Sequence, residues 1–440
     1  MSASEGLFYP SRRPYRFVVL IFVSLLTFGS YFAYDSVGAI APTLIEKLGL
    51  GREAIGQMYT LYSVAAILSV FIGGLLIDKI GTRKASLLFS LLVTVGAAIV
   101  AFAPNIYVLF FGRFIFGWGS ESLVVAQSSI FARWFKGKEL ALAFGIGLTI
   151  SRLGTLFSFN TEALIAEYFN DYHYALWAAV LFCVISLLAN LVYNTLDKRA
   201  ETILSLKEEG GGDKIVLADI KKFNSSYWYV TLLCLTFYSA IFPFTSLSTD
   251  FFNTKWGLPM TAGGEGGFFY QVFYSILHMF TTAGGTTTII IFASMVLAPF
   301  FGQFVDKFGK RASVMIIGSL FMVPAFLIMG FTMIPPMFPM IVLGAAFVMV
   351  PAAMWPSVPL IVEKNRVGTA FGLMTMIQNI GLALFPWLNG LLRDQTNDYT
   401  ASMVMFAGLG VIGLVFSFLL KRADGREGGH LENVDKVATA

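Results

Sequence analysis

The chain has 440 residues, of which 57% are hydrophobic and only 13% charged, and its mean hydropathy is +0.74. A soluble protein so poor in charge would expose adhesive apolar surface, so a water-soluble enzyme or binding domain is excluded. The net charge of +4 comes without a basic run interleaved with aromatic residues, which argues against a nucleic-acid surface.

A short polar stretch with Arg12 and Arg13 runs directly into the first apolar segment, with no small-residue cleavage pattern, so this segment is read as a retained helix. Apolar runs of membrane-spanning length then recur along the chain: 16–40, 54–77, 85–103, 106–131, 139–166, 174–196, 227–252, 286–304, 312–332, 338–362, 368–392 and 400–421. The expected fold class is therefore an all-α membrane protein with twelve transmembrane helices. Arg12, Arg13, Arg16, Lys79, Arg83, Lys84, Arg133, Lys136, Lys138, the 197–226 segment, Lys307, Lys310, Arg311, Lys364 and Arg366 collect on one side. The other side holds only Lys47, Arg52, Lys255 and Arg393. By the positive-inside rule both termini are cytoplasmic. Cys183 and Cys234 lie in separate apolar runs without metal-ligand spacing and are read as free thiols, and no metal or cofactor is expected.

The two halves repeat. Gly74–Lys84 (GLLIDKIGTRK) returns as Gly302–Ala312 (GQFVDKFGKRA), placing Asp78 and Asp306 228 positions apart, and the LAFG ending at Gly145 returns as the TAFG ending at Gly372, 227 positions later. Two matches at nearly one offset indicate two pseudo-symmetric six-helix bundles, 1–196 and 227–421, joined by a cytoplasmic linker 197–226 and followed by a tail 422–440.

Few charges fall inside the expected spans, and each is informative because a charge at membrane depth costs roughly 2.5–3.5 kcal/mol. Asp35, Arg113, Glu121, Arg152 and Glu162 all belong to the first half, and the second half is read as holding essentially none. Counted from Arg133 and Lys138 at helical rise, Glu121 lies ~18 Å and Arg152 ~21 Å into the bilayer, both near its middle on adjacent helices. They form either an ion pair that fixes packing or a bipolar site for a zwitterionic solute. A buried pair rarely adds stability over apolar packing, which favours recognition. The repeat offset carries Arg152 onto Asn379, next to Gln378. Tyr31, Tyr34, Tyr62, Tyr238, Phe242 and Trp355 are candidate walls of the same site. Asp35, ~28 Å beyond Arg16, is read as an outer gate residue, a proton site or a solvated helix end.

Gly74-x3-Asp78-Lys79-x-Gly81-x-Arg83-Lys84 between the second and third runs resembles the signature loop of the major facilitator superfamily, and Arg113-x3-Gly117-x-Gly119 resembles its fourth-helix motif. That resemblance implies the major facilitator fold, and an inner gate at Asp78, Arg83 and Arg133, with Asp306 in the equivalent place in the second half. Asp78 would face the start of helix eleven near Gly368, where a helix N-terminus favours an anion. Gly112–Gln127, Trp134–Leu140, Ser151–Thr155, Phe28–Asp35, Ile241–Phe244, Met354–Pro356 and Gly368–Leu384 are similar to the branch that contains the animal lysosomal dipeptide uniporter. The resemblance implies that Glu121 meets the peptide amino group and Arg152 its carboxylate.

The chain departs from that branch between Gly257 and Asp306, where Gly263–Gly285 is extra. Its apolar part is too short to span and is flanked by glycines, so an additional lateral or re-entrant helix is expected between helices seven and eight, with His278 incidental. The amino-terminal tail has no acidic dileucine signal. The loops are short, and Asn224-Ser225-Ser226 falls on the cytoplasmic side. These features point to a bacterial-type plasma membrane, with a lysosomal membrane as the alternative, and to a monomer in the lipid bilayer without the glycosylated accessory subunit of the branch. The expected function is alternating-access transport of dipeptides, as uniport. The alternative is proton-linked transport of amino acids, sugars or organic anions through Asp35, Glu121 or Glu162. No G-x-S-x-G, H-E-x-x-H, P-loop or His/Cys cluster points to an enzyme, which leaves a non-transporting sensor as the remote reading.

Overall fold

The computed structural model describes residues 9–10, 12–135, 139–204, 217–264, 266–363 and 366–432. Lys136, Lys138, Lys364 and the Gly210–Gly212 run of the expected linker lie outside them. Among the described residues there are helices and no strands. The first half holds α1 (Arg13–Leu25), α2 (Phe28–Ala39), α3 (Ala41–Leu48), α4 (Arg52–Ile80), α5 (Thr82–Ala101), α6 (Ile106–Phe135), α7 (Leu140–Tyr168) and α8 (Tyr172–Leu204). The second holds α9 (Ser225–Thr245), α10 (Ser248–Trp256), α11 (Phe268–Leu277), α12 (Ala283–Phe308), α13 (Arg311–Phe331), α14 (Met337–Ile361), α15 (Val367–Thr396) and α16 (Thr400–Arg426).

Ten described helices are long and apolar enough to cross a bilayer, and eleven when the pair Arg52–Val70 and Ile72–Ile80, bent by 45°, counts as one span. α1 and α2 together make the first of them. The expected eighth run, 286–304, falls in α12, whose apolar stretch is Ala283–Ala298. Helix limits follow local chemistry. Asn224 caps α9 by accepting from the Tyr227 N–H, and Thr282 caps α12 by accepting from the Gly285 N–H. α3 and α10 stop at Gly49 and Gly257, both in the left-handed region at φ 61° and 65°. The Gly263–Gly285 insertion folds as α11 and a single 3-10 turn, Met279–Thr281. Phe269, Phe273 and Leu277 are exposed along one face of α11, and Ser275 on its other face donates to the Asn160 carbonyl.

Cα proximity groups the chain into two compact units. The first comprises 1–36, 64–158 and 173–212, and the second 37–63, 159–172 and 213–440. Segments 37–63 and 159–172 are the ends of first-half helices that lie with the second-half helices.

Within the first unit α5 packs along α6. Gly96 and Gly119 permit that approach: a Cβ on Gly96 would run into the Phe116 backbone, and one on Gly119 would sit 2.7 Å from the Val93 nitrogen. α8 runs past the expected end of its span, so Asp197 is a helical residue with no exposed surface. In the second unit α13 packs between α14 and α16, and α9 against α15 and α16.

The chain after α16 returns to the start of α13. The Arg311 N–H donates to the Leu431 carbonyl at 2.9 Å, and Glu432 accepts from the Ser313 N–H at 2.8 Å and from its hydroxyl at 2.9 Å. Glu432 thus caps a helix whose own preceding residue, Lys310, supplies no side-chain bond. Glu432→Ala should cost about 1 kcal/mol, the usual worth of a cap. Limited proteolysis should show the tail cleaved faster in the variant.

Candidate substrate site

In the first unit the polar groups of three helices converge. α2 carries Tyr31, Tyr34 and Asp35, α6 carries Arg113 and Glu121, and α7 carries Arg152 and Thr155. Hydroxyl pairs fix the helices side by side: Ser30 meets Ser120 at 2.6 Å and Thr27 meets Ser151 at 2.6 Å, while Gln127 donates to the Thr27 hydroxyl at 3.0 Å. Tyr31 lies within electrostatic reach of Glu121, Arg152 and Asp35 together. Glu121 and Arg152 are half-buried.

Asp35 is not a solvated helix end. It is 6% exposed, accepts a hydrogen bond from Thr155, and lies in the fields of Arg113 and Arg152. Arg113 is 1% exposed and donates to the Ala33 and Tyr34 carbonyls at 3.1 and 3.3 Å. Its guanidinium also lies 5.6 Å from the Tyr34 ring centre and 5.3 Å from that of Phe116. These contacts tie Arg113 to the α2 backbone as a packing element. The cluster therefore holds two acids and two arginines, and it can present a cation and an anion to a dipolar solute without net charge.

The second unit supplies aromatic and amide groups. The Trp355 indole N–H on α14 donates to the Tyr238 hydroxyl on α9 at 3.0 Å, and Tyr238 stacks on Phe242 with ring centres 5.7 Å apart and planes 9° off parallel. Gln378 on α15 accepts from the Cys234 thiol at 3.4 Å. Asn379, 2% exposed, turns its amide back to the Thr375 carbonyl at 3.0 Å, so the repeat offset from Arg152 leads to a buried group bonded within its own helix. Tyr62 on α4 is 5% exposed and belongs to this unit as well.

Of the expected gating residues, Asp78 is exposed on the last turn of α4. Arg83 and Arg133 both turn to Asp197, at 3.5 and 3.0 Å, and Arg83 also reaches Glu201 at 2.6 Å. The Trp134 indole donates to the other Asp197 oxygen at 2.8 Å. Asp306 lies on α12, but its side chain is outside the described residues.

Asp250 lies within the expected seventh run, but the apolar span of that run ends at Thr245, before α10. It is 2% exposed on α10, where Arg52 and Tyr399 bind it. A lone carboxylate within an apolar run was the signal for it. Thr155 and Asp197 carried no such signal, because a hydroxyl in a helix and an acid near a basic loop are both ordinary.

Ten or eleven long apolar helices within the described residues, with charged groups clustered among them, define a polytopic α-helical membrane protein. The profile of the Major Facilitator Superfamily matches residues 23–280 and 267–438, and the chain belongs to that superfamily. It is 32% identical over 439 residues to the lysosomal dipeptide transporter MFSD1 of Homo sapiens, covering 96% of this chain and 90% of the relative. It is 33% identical over 446 residues to the protein of that name from Mus musculus, with coverage of 96% and 90%. A hexuronate transporter of Bacillus subtilis is 22% identical over 418 residues, covering 89% and 92%. Among solved structures, a bacterial homologue of the human lysosomal transporter Spinster superposes with a TM-score of 0.69 at 16% identity, covering 94% of this chain and 98% of that one. The nucleoside transporter NupG superposes with a TM-score of 0.69 at 16% identity, covering 91% and 98%. At such identity these two bear on the fold alone.

Proposed function

We propose that the chain carries dipeptides across the membrane by alternating access, as a uniporter, with Glu121 receiving the peptide amino group and Arg152 its carboxylate. The observation that carries this reading is the convergence of Glu121 and Arg152 on Tyr31 within one unit. A zwitterion with one positive and one negative end matches such a pair, and the backbone termini are common to every dipeptide, so side-chain selectivity would be broad. The dipeptide transporters among the relatives support the choice of cargo. Tyr31 and Tyr34 would complete the walls in this unit, Tyr62, Tyr238, Phe242, Trp355, Gln378 and Asn379 are the candidate substrate contacts of the other unit, and Asp35, Asp78, Arg83, Arg133 and Asp306 would act in gating. The same reading takes twelve spans in two pseudo-symmetric bundles, with both termini cytoplasmic. A monomer in a bacterial-type plasma membrane goes with it, and a lysosomal membrane is the alternative that the relatives' names support.

A thermal-stabilisation screen against dipeptides, free amino acids, sugars and organic anions tests the cargo, because a ligand that binds only the native state raises its stability. Dipeptides should raise the unfolding midpoint and N-acetylated dipeptides should not. A response to sugars alone would remove the dipeptide reading and leave the fold untouched.

Glu162 favours a proton-linked version. It has no exposed surface, and neither carboxylate oxygen has a hydrogen-bond partner among the described residues, an arrangement that penalises the anion. If a proton is carried, an inward pH gradient imposed on liposomes at equal peptide concentration should drive accumulation in the wild type and none in Glu162→Gln. Under uniport neither protein accumulates peptide.

A further inference from the structure

In the second unit a cavity of about 240 Å³ lies where α10, the end of α13 and the turn between α15 and α16 meet. That is room for on the order of eight waters of ~30 Å³ each. Two of its lining side chains are basic, Lys255 on α10 and Arg393 in the last turn of α15. The Lys255 ammonium donates to the Met329 and Gly330 carbonyls at 2.5 and 2.6 Å. These carbonyls close α13, and a helix C-terminus favours a cation. The Trp256 ring centre lies 5.0 Å from the same nitrogen. One of the three ammonium hydrogens is left over. Burial pulls Lys255 below the ordinary lysine pKa, and the Asp398 carboxylate opposes that shift.

Arg393 rests on the Tyr399 ring, 5.2 Å from its centre, and that ring is fixed because its hydroxyl donates to Asp250 at 2.6 Å. The acids around it are engaged elsewhere. Asp250 holds Arg52, Asp394 accepts from the Glu53 N–H at 2.8 Å, and Asp398 accepts from the Thr400 N–H at 2.8 Å. The Arg393 Nε is buried with no acceptor among the described residues. A guanidinium cannot shed its charge, so a hydrogen of this kind calls for an acceptor. Asn397 and Thr400 also line the cavity and offer neutral donors. Asp398 lines it too, but it is exposed, so water and salt screen it. Two cations against one screened carboxylate leave the cavity suited to an anion. Directly beyond Gly330, which is part of the lining, the chain exposes Phe331, Met333 and Ile334.

We propose that this cavity binds a phosphate group, with the Arg393 fork and the remaining Lys255 hydrogen on its oxygens and Asn397 and Thr400 completing the shell. A carboxylate has two oxygens to offer, whereas a phosphate group can meet donors from all four side chains at once. A free phosphate ion and the phosphodiester of an anionic lipid headgroup share this chemistry. For the lipid, the apolar residues beyond Gly330 would take the acyl chain. The site uses no residue of the first unit and does not depend on the identity of the transported solute.

The test uses the full-length protein, purified in detergent and stripped of lipid, with no peptide present. Its thermal midpoint is followed as inorganic phosphate is titrated against sodium chloride of equal ionic strength, and as phosphatidylglycerol is titrated against phosphatidylcholine. A ligand of the native state should raise the midpoint in a saturable way. A rise with phosphate and phosphatidylglycerol alike supports the site with free phosphate as a sufficient ligand, and a rise with phosphatidylglycerol alone supports it with a lipid headgroup as the ligand. Arg393→Gln leaves the Lys255 contacts to α13 in place and should weaken half-saturation about 10-fold or more. Asp398→Asn keeps an acceptor for the Thr400 N–H and removes the opposing charge, so it should tighten half-saturation about 3-fold. No rise with either ligand, or the same half-saturation in wild type and Arg393→Gln, overturns the site. Should Arg393→Gln not fold, Asp398→Asn decides: tighter binding supports the site, and unchanged or weaker binding removes it.

Discussion

Arg152→Ala is expected to lower dipeptide uptake into liposomes by about 100-fold or more, while the purified protein stays folded and monodisperse. A guanidinium that meets a peptide carboxylate makes two charge-assisted hydrogen bonds, and each 1.4 kcal/mol lost is a factor of ten in binding. Arg152→Lys keeps the charge and loses the planar fork, so it should recover only part of the activity. The decisive control is the cargo. A dipeptide amide has no carboxylate for Arg152 to hold, so wild type and Arg152→Ala should bind it equally weakly. Arg152 also lies in the field of Asp35, so a purely structural role would lower the thermal midpoint and harm binding of both peptide forms alike. Equal uptake of the free dipeptide by wild type and Arg152→Ala would remove the clamp.

The second large effect is on stability. Asp197 has no exposed surface and is shared by Arg133, Arg83 and the Trp134 indole, with Arg133 itself only 11% exposed. Asp197→Ala leaves two guanidinium groups facing an apolar gap, and breaking a buried pair from one side typically costs 3–5 kcal/mol. Arg83 keeps Glu201 at 2.6 Å and is 24% exposed, so the lower end, about 3 kcal/mol, is expected. Asp197→Asn separates charge from hydrogen bonding. It preserves an acceptor for Trp134, and if charge dominates it should cost nearly as much as alanine. Thermal unfolding of the detergent-solubilised protein measures both. A shift in the alanine variant no larger than that of an exposed Lys→Ala change would show that the three-way contact adds little.

These two residues differ in how readily they are read from the chain. Arg152 stands out in the sequence because an arginine inside a long apolar run is costly and therefore informative. Asp197 does not, because an acid after an apolar run looks like the start of a polar linker. Only the continuation of α8 to Leu204 and the approach of α6 bury it. Asn379 shows a different limit of sequence reasoning. The repeat offset leads from Arg152 to this residue, but its amide is engaged by the Thr375 carbonyl of its own helix.

The membrane class and the superfamily were legible in the sequence alone, because hydropathy and motif spacing are properties of a one-dimensional string. The sequence also indicated a short helix in the Gly263–Gly285 insertion, where glycines bracket an apolar stretch too brief to span. The tertiary structure alone decided which charges meet. Asp35 joins Arg113 and Arg152 instead of facing solvent, Arg83 and Arg133 turn to a shared Asp197, and Asp250 is held both by Arg52, 198 positions before it, and by Tyr399, 149 positions after it. Coulomb and hydrogen-bond energies depend on separations of a few ångströms between residues far apart in sequence. Such separations exist only once the helices have packed.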